Sequence, residues 1–315
     1  MSAPKFLLKW GSYGTGDGMF DNPWGIVSDS SGNIYVADNL NNRIQKFTSD
    51  GTFILKWGTS GVGDNQFHLP AGICTDSSGN IYVANSGGHR IQKFTSTGTF
   101  ILKWGSNGTG DGYFNLPTGV AIDSSGNVYV ADYYNQRIQK FTSTGTFILK
   151  WGSYGTGDGQ FSNPWAIAID SSDAVYVTDV GNNRIQKFDT NGNFILKWGS
   201  YGTGDGQLFR PIGMGFDSSG NIYIAERDNH RIQKFTSAGT YILKWGSNGT
   251  GDGQFKYPLG VALDSYDNIY ITDGEWFSPG SPNNRIQKFG YGLIVGSKVA
   301  IINKVKGKPF AVSLS

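Results

Sequence analysis

The chain has 315 residues, of which 38% are hydrophobic and 14% aromatic, and this composition supports a sizeable folded core. Its 26 Lys and Arg side chains nearly balance its 24 Asp and Glu side chains, so bulk charge gives no basis for binding nucleic acid or an anionic membrane. The single cysteine, Cys74, excludes an internal disulfide. No run approaches the ~18 apolar residues of a membrane span, and the first residues do not resemble a signal peptide.

The first predicted strand, residues 6–10 (FLLKW), stands alone at the start of the chain. Its pattern returns as F-I-L-K-W or Y-I-L-K-W at a constant spacing of 47 residues. The tryptophans that mark this period are Trp10, Trp57, Trp104, Trp151, Trp198 and Trp245. Such strict self-similarity indicates an internal repeat.

Each repeat contains four short runs rich in Ile, Val, Tyr, Phe and Trp, separated by Gly, Asn, Asp and Ser turns. In order they read P-x-G-I-x-x, I-Y-V-A-D, R-I-Q-K-F and F-I-L-K-W, a pattern typical of strands. Four strands every 40 to 50 residues predict one blade of a β-propeller. Six repeats therefore predict an all-β, six-bladed propeller, with the repeated Trp and Phe packed between blades.

The last repeat ends early, because its pattern stops after residues 285–289 (RIQKF). It lacks the fourth strand that residues 6–10 can supply, so we expect the N-terminal strand to complete blade six and close a monomeric ring. The propeller would then span residues 6–289. Residues 290–315, with four lysines and no acid, would form a basic tail, a linker or the start of a further segment.

The motifs P-x-G-I-x-x-D, S-x-G-N-I-Y-V-A-D and N-x-R-I-Q-K-F, with a G-x-G-x-F connector, resemble the NHL repeat over residues 6–289. The resemblance implies the fold but not one function, because members include RNA-binding and protein-binding modules, a peptide-amidating lyase and microbial surface proteins. The sequons at Asn107 and Asn248 favour an extracellular or cell-surface location over a cytoplasmic one.

Two recurrent acids are expected to be structural. An acid ending the second strand precedes an arginine in each repeat, as Asp38 precedes Arg43, with Asn85 and Glu226 as variants. Six copies of such a pair favour a repeated structural contact over a ligand site. The connector acid, Asp17 in the first repeat, is expected to form a turn, since one carboxylate per loop is too few for calcium.

The residues of the inner strand disfavour an enzymatic function. Its variable letters, such as residues 26–28 (IVS) and 120–122 (VAI), include no acid, base or histidine, so we expect a channel walled by Ala, Val and Ile. Such a wall supplies neither metal ligands nor catalytic groups. The three histidines, His68, His89 and His230, are expected to be loop or surface variants, so the zinc ligands of the amidating lyase do not carry over, and no cofactor is expected.

Divergence between the copies concentrates in the loops after the second and fourth strands, which emerge at one end of the ring, here called the variable face. The sixth copy has the longest such loop, which contains Trp276 and Phe277. The predicted binding set consists of the large residues at this end that differ from their counterparts in the other repeats: Trp24, Tyr133, Tyr134, Trp165, Arg227, Trp276 and Phe277.

The sequence therefore predicts a non-catalytic binding or scaffold module that recognises a protein, peptide or glycan through the variable face. A propeller lyase or hydrolase and an RNA-binding domain are the alternatives, and few basic residues on this face disfavour RNA. The three tryptophans at this end have a second interpretation, in which they only plug the mouth of the channel as packing.

Overall fold

A computed structural model describes residues 2–274 and 283–291, together with four short strands further along the chain. It contains six four-stranded antiparallel sheets arranged in a ring, of which five are each built from one repeat and the sixth combines the last repeat with the N-terminal strand. The described residues contain no helix, and hence none long and apolar enough to cross a membrane. The all-β, six-bladed propeller predicted from the 47-residue period is confirmed.

Blades 1 to 3 each run from an inner strand at the axis to an outer strand at the rim. Blade 1 contains Pro23–Ser28, Ile34–Asp38, Arg43–Phe47 and Phe53–Trp57. Blade 2 contains Pro70–Thr75, Ile81–Asn85, Arg90–Phe94 and Phe100–Trp104. Blade 3 contains Pro117–Ile122, Val128–Asp132, Arg137–Phe141 and Phe147–Trp151.

Blades 4 to 6 repeat this order. Blade 4 contains Pro164–Ile169, Val175–Asp179, Arg184–Phe188 and Phe194–Trp198. Blade 5 contains Pro211–Phe216, Ile222–Glu226, Arg231–Phe235 and Tyr241–Trp245. Blade 6 contains Tyr257–Leu263, Ile269–Gly274 and Arg285–Gly290. Short pairs outside the blades join Thr59–Ser60 to Gln66–Phe67, Leu293–Val295 to Lys298–Ala300, and Lys304–Val305 to Lys308–Pro309.

The ring closes through the N-terminal strand. Lys5–Trp10 pairs antiparallel with Arg285–Gly290, so the chain start supplies the outer strand of blade 6. Lys9 also forms an ion pair with Asp252, with Nζ and Oδ1 2.6 Å apart. The predicted closure is confirmed, and it covers a strand edge that would otherwise be open to pairing with another chain.

The hydrophobic core lies between neighbouring blades. The Trp57 ring packs edge-on against Tyr35 of its own blade, with centroids 6.2 Å apart, and against Phe94 of the next blade at 5.9 Å. It also covers the turn glycine Gly98, where φ is +82° and an added Cβ would lie 2.8 Å from the indole. The repeated tryptophan therefore packs between blades, as predicted.

In five of the six blades, an acid–arginine pair fastens the connector to its blade. Asp38 accepts a hydrogen bond from Arg43 Nε at 2.7 Å, and the same guanidinium donates to the carbonyls of Gly16 and Met19, both at 2.8 Å. Asp38 is fully buried and Arg43 is 6% exposed. The structural interpretation of this series is confirmed.

The connector acids lie in turns, as predicted, with Asp17 and Gly18 in the turn between Gly16 and Met19. The Asp17 side chain also pairs with Lys56 of the outer strand, with the carboxylate oxygen and Nζ 2.6 Å apart and both side chains largely exposed. Backbone groups already close the turn, since the Met19 N–H donates to the Gly16 carbonyl at 3.2 Å. The acid is therefore free to form a surface ion pair, which contributes little to stability.

The six inner strands line the channel, with Ile, Val and Ala among the lining residues as expected. Each inner strand is hydrogen-bonded only to the strand outside it, so its other backbone edge faces the axis. The side chains point sideways into the seams: Ile26 packs with Ala262 and Tyr270 of blade 6, while Val27 packs with Ile73 of blade 2.

Candidate binding surface

Two tryptophans narrow the channel where it opens on the variable face. Trp24 and Trp165 each follow the proline that begins an inner strand, and they come from blades on opposite sides of the ring. Their rings meet across the axis with centroids 5.1 Å apart and planes inclined at 51°. They line a cavity of about 80 Å³, whereas the opposite end of the channel encloses about 260 Å³.

The backbones of neighbouring blades pack closely at this mouth. A β-bulge between Pro23 and Ile26 brings Gly25 against the next blade, where an added Cβ would lie only 2.2 Å from the Ala71 carbonyl oxygen. Most other inner strands carry a glycine at the same place. At Gly25, only a residue without a side chain permits this approach.

Two tyrosines extend the tryptophan pair towards solvent. Tyr133 packs edge-on against Trp165 with centroids 5.3 Å apart, and Tyr134 packs on Tyr133 at 4.8 Å. Exposure rises along this series, from 9% for Trp24 to 54% for Tyr134. We call these four side chains the aromatic row. Its buried end fixes the rings in place, and its exposed end offers contact area at low entropic cost.

A charged group borders the aromatic row on blade 5. Asp228 lies between two arginines, with Oδ2 3.3 Å from Arg210 Nη1 and Oδ1 3.7 Å from Arg227 Nε. The Arg227 guanidinium also lies over the Tyr257 ring, 5.1 Å from its centroid. Burial and then the nearby Arg210 lower the pKa of Arg227, while Asp228 opposes this shift.

The charges of Arg210 and Arg227 act on Tyr133 of the aromatic row. Burial raises the pKa of Tyr133, and both Arg210 and Arg227 act against that rise. Arg210 is half exposed, which leaves part of its guanidinium accessible to a partner. The surface therefore combines stacking area with hydrogen-bond donors.

The structure brings together five of the seven residues in the predicted binding set. Trp24, Trp165, Tyr133 and Tyr134 form the aromatic row, and Arg227 lies beside it. Trp276 and Phe277 lie outside the described residues. The packing interpretation of the three tryptophans describes Trp24 well, because its ring is nearly buried, whereas Trp165 is only partly buried.

Sequence reasoning left Arg210, Asp228 and Tyr257 out of the binding set. Arg210 and Tyr257 occupy the position just before the inner-strand proline, where other repeats carry Asn or Leu. Asp228 lies in the loop after the second strand. Comparing the repeats at the residue before proline would have found the first two.

One of the three histidines is exposed, and the other two contact the next blade. His68 is exposed, as expected. His89 accepts a hydrogen bond from the Leu116 N–H at 3.2 Å, and His230 packs on Tyr257 with ring centroids 5.3 Å apart, so both contact the next blade. Residues 2–274 and 283–291 hold no group of three or more His, Cys, Asp or Glu side chains placed to bind a metal ion.

Comparison with known proteins agrees with this architecture. The family model described as NHL repeat matches residues 20–47, 67–94, 114–141, 161–188 and 210–235. Protein lin-41 of Caenorhabditis elegans is 49% identical over 45 residues, and the E3 ubiquitin-protein ligase TRIM71 of Rattus norvegicus is 48% identical over 46 residues. These matches cover 14% and 15% of this chain but only 4% and 5% of the relatives.

A solved structure extends the likeness over nearly the whole chain. A gluconolactonase from Xanthomonas campestris superposes with a TM-score of 0.65 over 92% of this chain and 95% of its own. The two sequences are 13% identical, so this likeness concerns the fold alone. With five matched repeats and six blades of one pattern, the chain belongs to the NHL-repeat family of β-propellers.

Proposed function

We propose that this propeller is a non-catalytic binding module that holds a protein segment or peptide on its variable face. The observation that carries the proposal is the aromatic row, which runs from a buried pair at the channel mouth to the exposed Tyr134 beside Arg210. Tyr, Trp and Arg are the residues that most often anchor protein partners. The row also lies where the repeats diverge, which is where specificity can arise in an amplified scaffold.

The surroundings of the row favour recognition over chemistry. The groups nearest to it are two arginines and one carboxylate that already pair with each other. No catalytic nucleophile or base with a hydrogen-bonded partner adjoins the row among the described residues. One relative of the matched repeats is an E3 ubiquitin-protein ligase, a class that handles protein partners, and this supports a protein ligand.

A binding screen followed by matched variants tests the proposal. The purified protein is presented to a random peptide display library, a glycan array and an RNA pool. We expect selected peptides to lose affinity by more than about fivefold, or about 1 kcal/mol, on Tyr134→Ala or Arg210→Ala. Thr99→Ala, an exposed change at the opposite end of the ring, should have no effect.

Two outcomes would contradict this function. Binding only to glycans or only to RNA would replace the protein partner with another class of ligand. Peptide binding that depends on Thr99 and ignores Tyr134 would move the site to the opposite end of the ring.

A further inference from the structure

Neighbouring blades are joined on the variable face by a repeated hydrogen bond. The residue just before the recurrent arginine accepts the backbone N–H of the residue just before the next inner-strand proline. We call this contact the clasp. Four clasps use an amide oxygen: Asn42 with Leu69 at 2.9 Å, Gln136 with Asn163 at 2.6 Å, Asn183 with Arg210 at 2.9 Å, and Asn284 with Asn22 at 2.6 Å.

The clasp between blades 2 and 3 uses a titratable acceptor instead. His89 Nδ1 lies 3.2 Å from the Leu116 nitrogen and accepts its N–H. A ring nitrogen accepts only while it carries no proton, so this clasp requires neutral imidazole. An amide oxygen has no such requirement, which makes this seam unlike the four amide seams.

The surroundings of His89 oppose its protonation in the closed clasp. Burial is the main cause that lowers its pKa, and His68 on the preceding connector lowers it further. The Phe114 carbonyl and Asp132 of blade 3 act in the opposite direction. The charged and titratable groups that face the ring are therefore His68 and Asp132.

The seam between blades 5 and 6 has a histidine, His230, at the equivalent position, but its contact differs from the clasp. His230 Nδ1 lies against the carbonyl oxygen of Lys256. A carbonyl oxygen can only accept, so this contact does not use the ring nitrogen as an acceptor. Of the three histidines, His89 alone accepts a backbone N–H in the part of the chain that the structure describes.

Three consecutive residues, Leu116, Pro117 and Thr118, connect the His89 clasp to the aromatic row. Leu116 holds a left-handed backbone with φ of +54°, which is strained for a side chain of this kind. Pro117 follows and begins the inner strand of blade 3. Thr118 comes next, and its hydroxyl donates to the Trp165 carbonyl at 2.9 Å.

We propose that His89 is an acid-sensitive clasp, whose protonation releases the Leu116 N–H and loosens the seam between blades 2 and 3 beside Trp165. In the imidazolium form, Nδ1–H of His89 faces the backbone N–H of Leu116. Two donors cannot form a hydrogen bond, so the contact is lost and the strained Leu116 backbone is free to relax. The proposal concerns the seam itself and does not depend on the identity of any partner.

Amide hydrogen exchange followed by NMR tests the proposal on the whole chain. Protection at the Leu116 N–H, corrected for intrinsic exchange, is compared between about pH 7.5 and about pH 5. Below the midpoint of the titration we expect it to fall by ~10-fold per pH unit, as one bound proton requires. The N–H groups of Asn163 and Arg210, held by amide clasps, serve as internal references and should keep their protection.

Two variants separate titration from structure. His89→Asn supplies the amide acceptor found in blades 1 and 4, so Leu116 should stay protected at acid pH. His230→Asn should leave the acid response of Leu116 unchanged. The proposal is overturned if Leu116 follows Asn163 and Arg210 at every pH, or if His89→Asn shows the wild-type acid response. It is also overturned if ¹⁵N shifts place the proton of neutral His89 on Nδ1.

Discussion

Changing Asn85 to Asp should stabilise the protein, because blade 2 lacks the carboxylate that the other blades bury. In blade 3, Asp132 accepts a hydrogen bond from Arg137 Nε at 2.8 Å. The corresponding Arg90 Nε in blade 2 has no acceptor among the described residues, although Arg90 is only 7% exposed. Burial lowers the pKa of Arg90, and the Asp64 carboxylate only partly opposes this shift.

The size of the effect follows from two opposing contributions. A hydrogen bond between charged groups is worth about 1.5 to 3 kcal/mol, and an unsatisfied buried donor costs about as much. Burying the new carboxylate opposes this gain, since burial raises the pKa of the equivalent Asp132. We therefore expect Asn85→Asp to raise the free energy of unfolding by about 1 to 3 kcal/mol.

Thermal and denaturant unfolding at neutral pH measure this change. In a domain of this size each kcal/mol raises Tm by about 2 to 4 °C. The matched control is Asp132→Asn, which makes the reverse change in a complete network and should cost about 3 to 5 kcal/mol. The reasoning is refuted if Asn85→Asp leaves stability unchanged or lowers it while Asp132→Asn is destabilising.

Three further predictions concern closure, the seams and pH. Deleting residues 1–10 removes the outer strand of blade 6, so the chain should oligomerise or unfold less cooperatively; unchanged mass by light scattering and an unchanged melting curve would contradict this. Trp104→Ala should cost about 3 kcal/mol, because the ring packs on Tyr82 and on Phe141 of the next blade, and a loss below about 1 kcal/mol would place it outside the core. The pKa of His89 lies below its ordinary value of 6.5 in the folded state, so the unfolded chain binds the proton more readily and stability falls as the pH drops below that value. His89→Asn should reduce this loss in urea titrations at about pH 7 and about pH 5, and an identical loss in both proteins would argue against it.

Much of the fold was predictable because every repeat carries the same strand pattern. Six tryptophans at one period establish the blade, and the unpaired strand at each end of the chain predicts the closure that the structure confirms. The role of the acid and arginine series was also predictable, since a contact made once per blade implies symmetry. The turn at Asp17 was predictable as well, but its ion pair was not, because its partner Lys56 is an exposed side chain in a distant strand that no local pattern singles out.

The candidate surface was only partly predictable. Divergence between repeats identified Trp24, Trp165 and Tyr133 individually, but not that they touch. That contact depends on how close opposite blades lie across the axis, which no local sequence pattern states.

The sequence by itself determined the number of blades, their strand order and the end of the ring where the copies diverge. These properties follow from local sequence patterns that recur in each repeat. Only the tertiary structure decided which divergent residues meet, that His89 holds a seam through an acceptor nitrogen, and that Arg90 is buried without a carboxylate. Such properties depend on distances between atoms of different blades, which are fixed by how tightly six sheets pack around one axis.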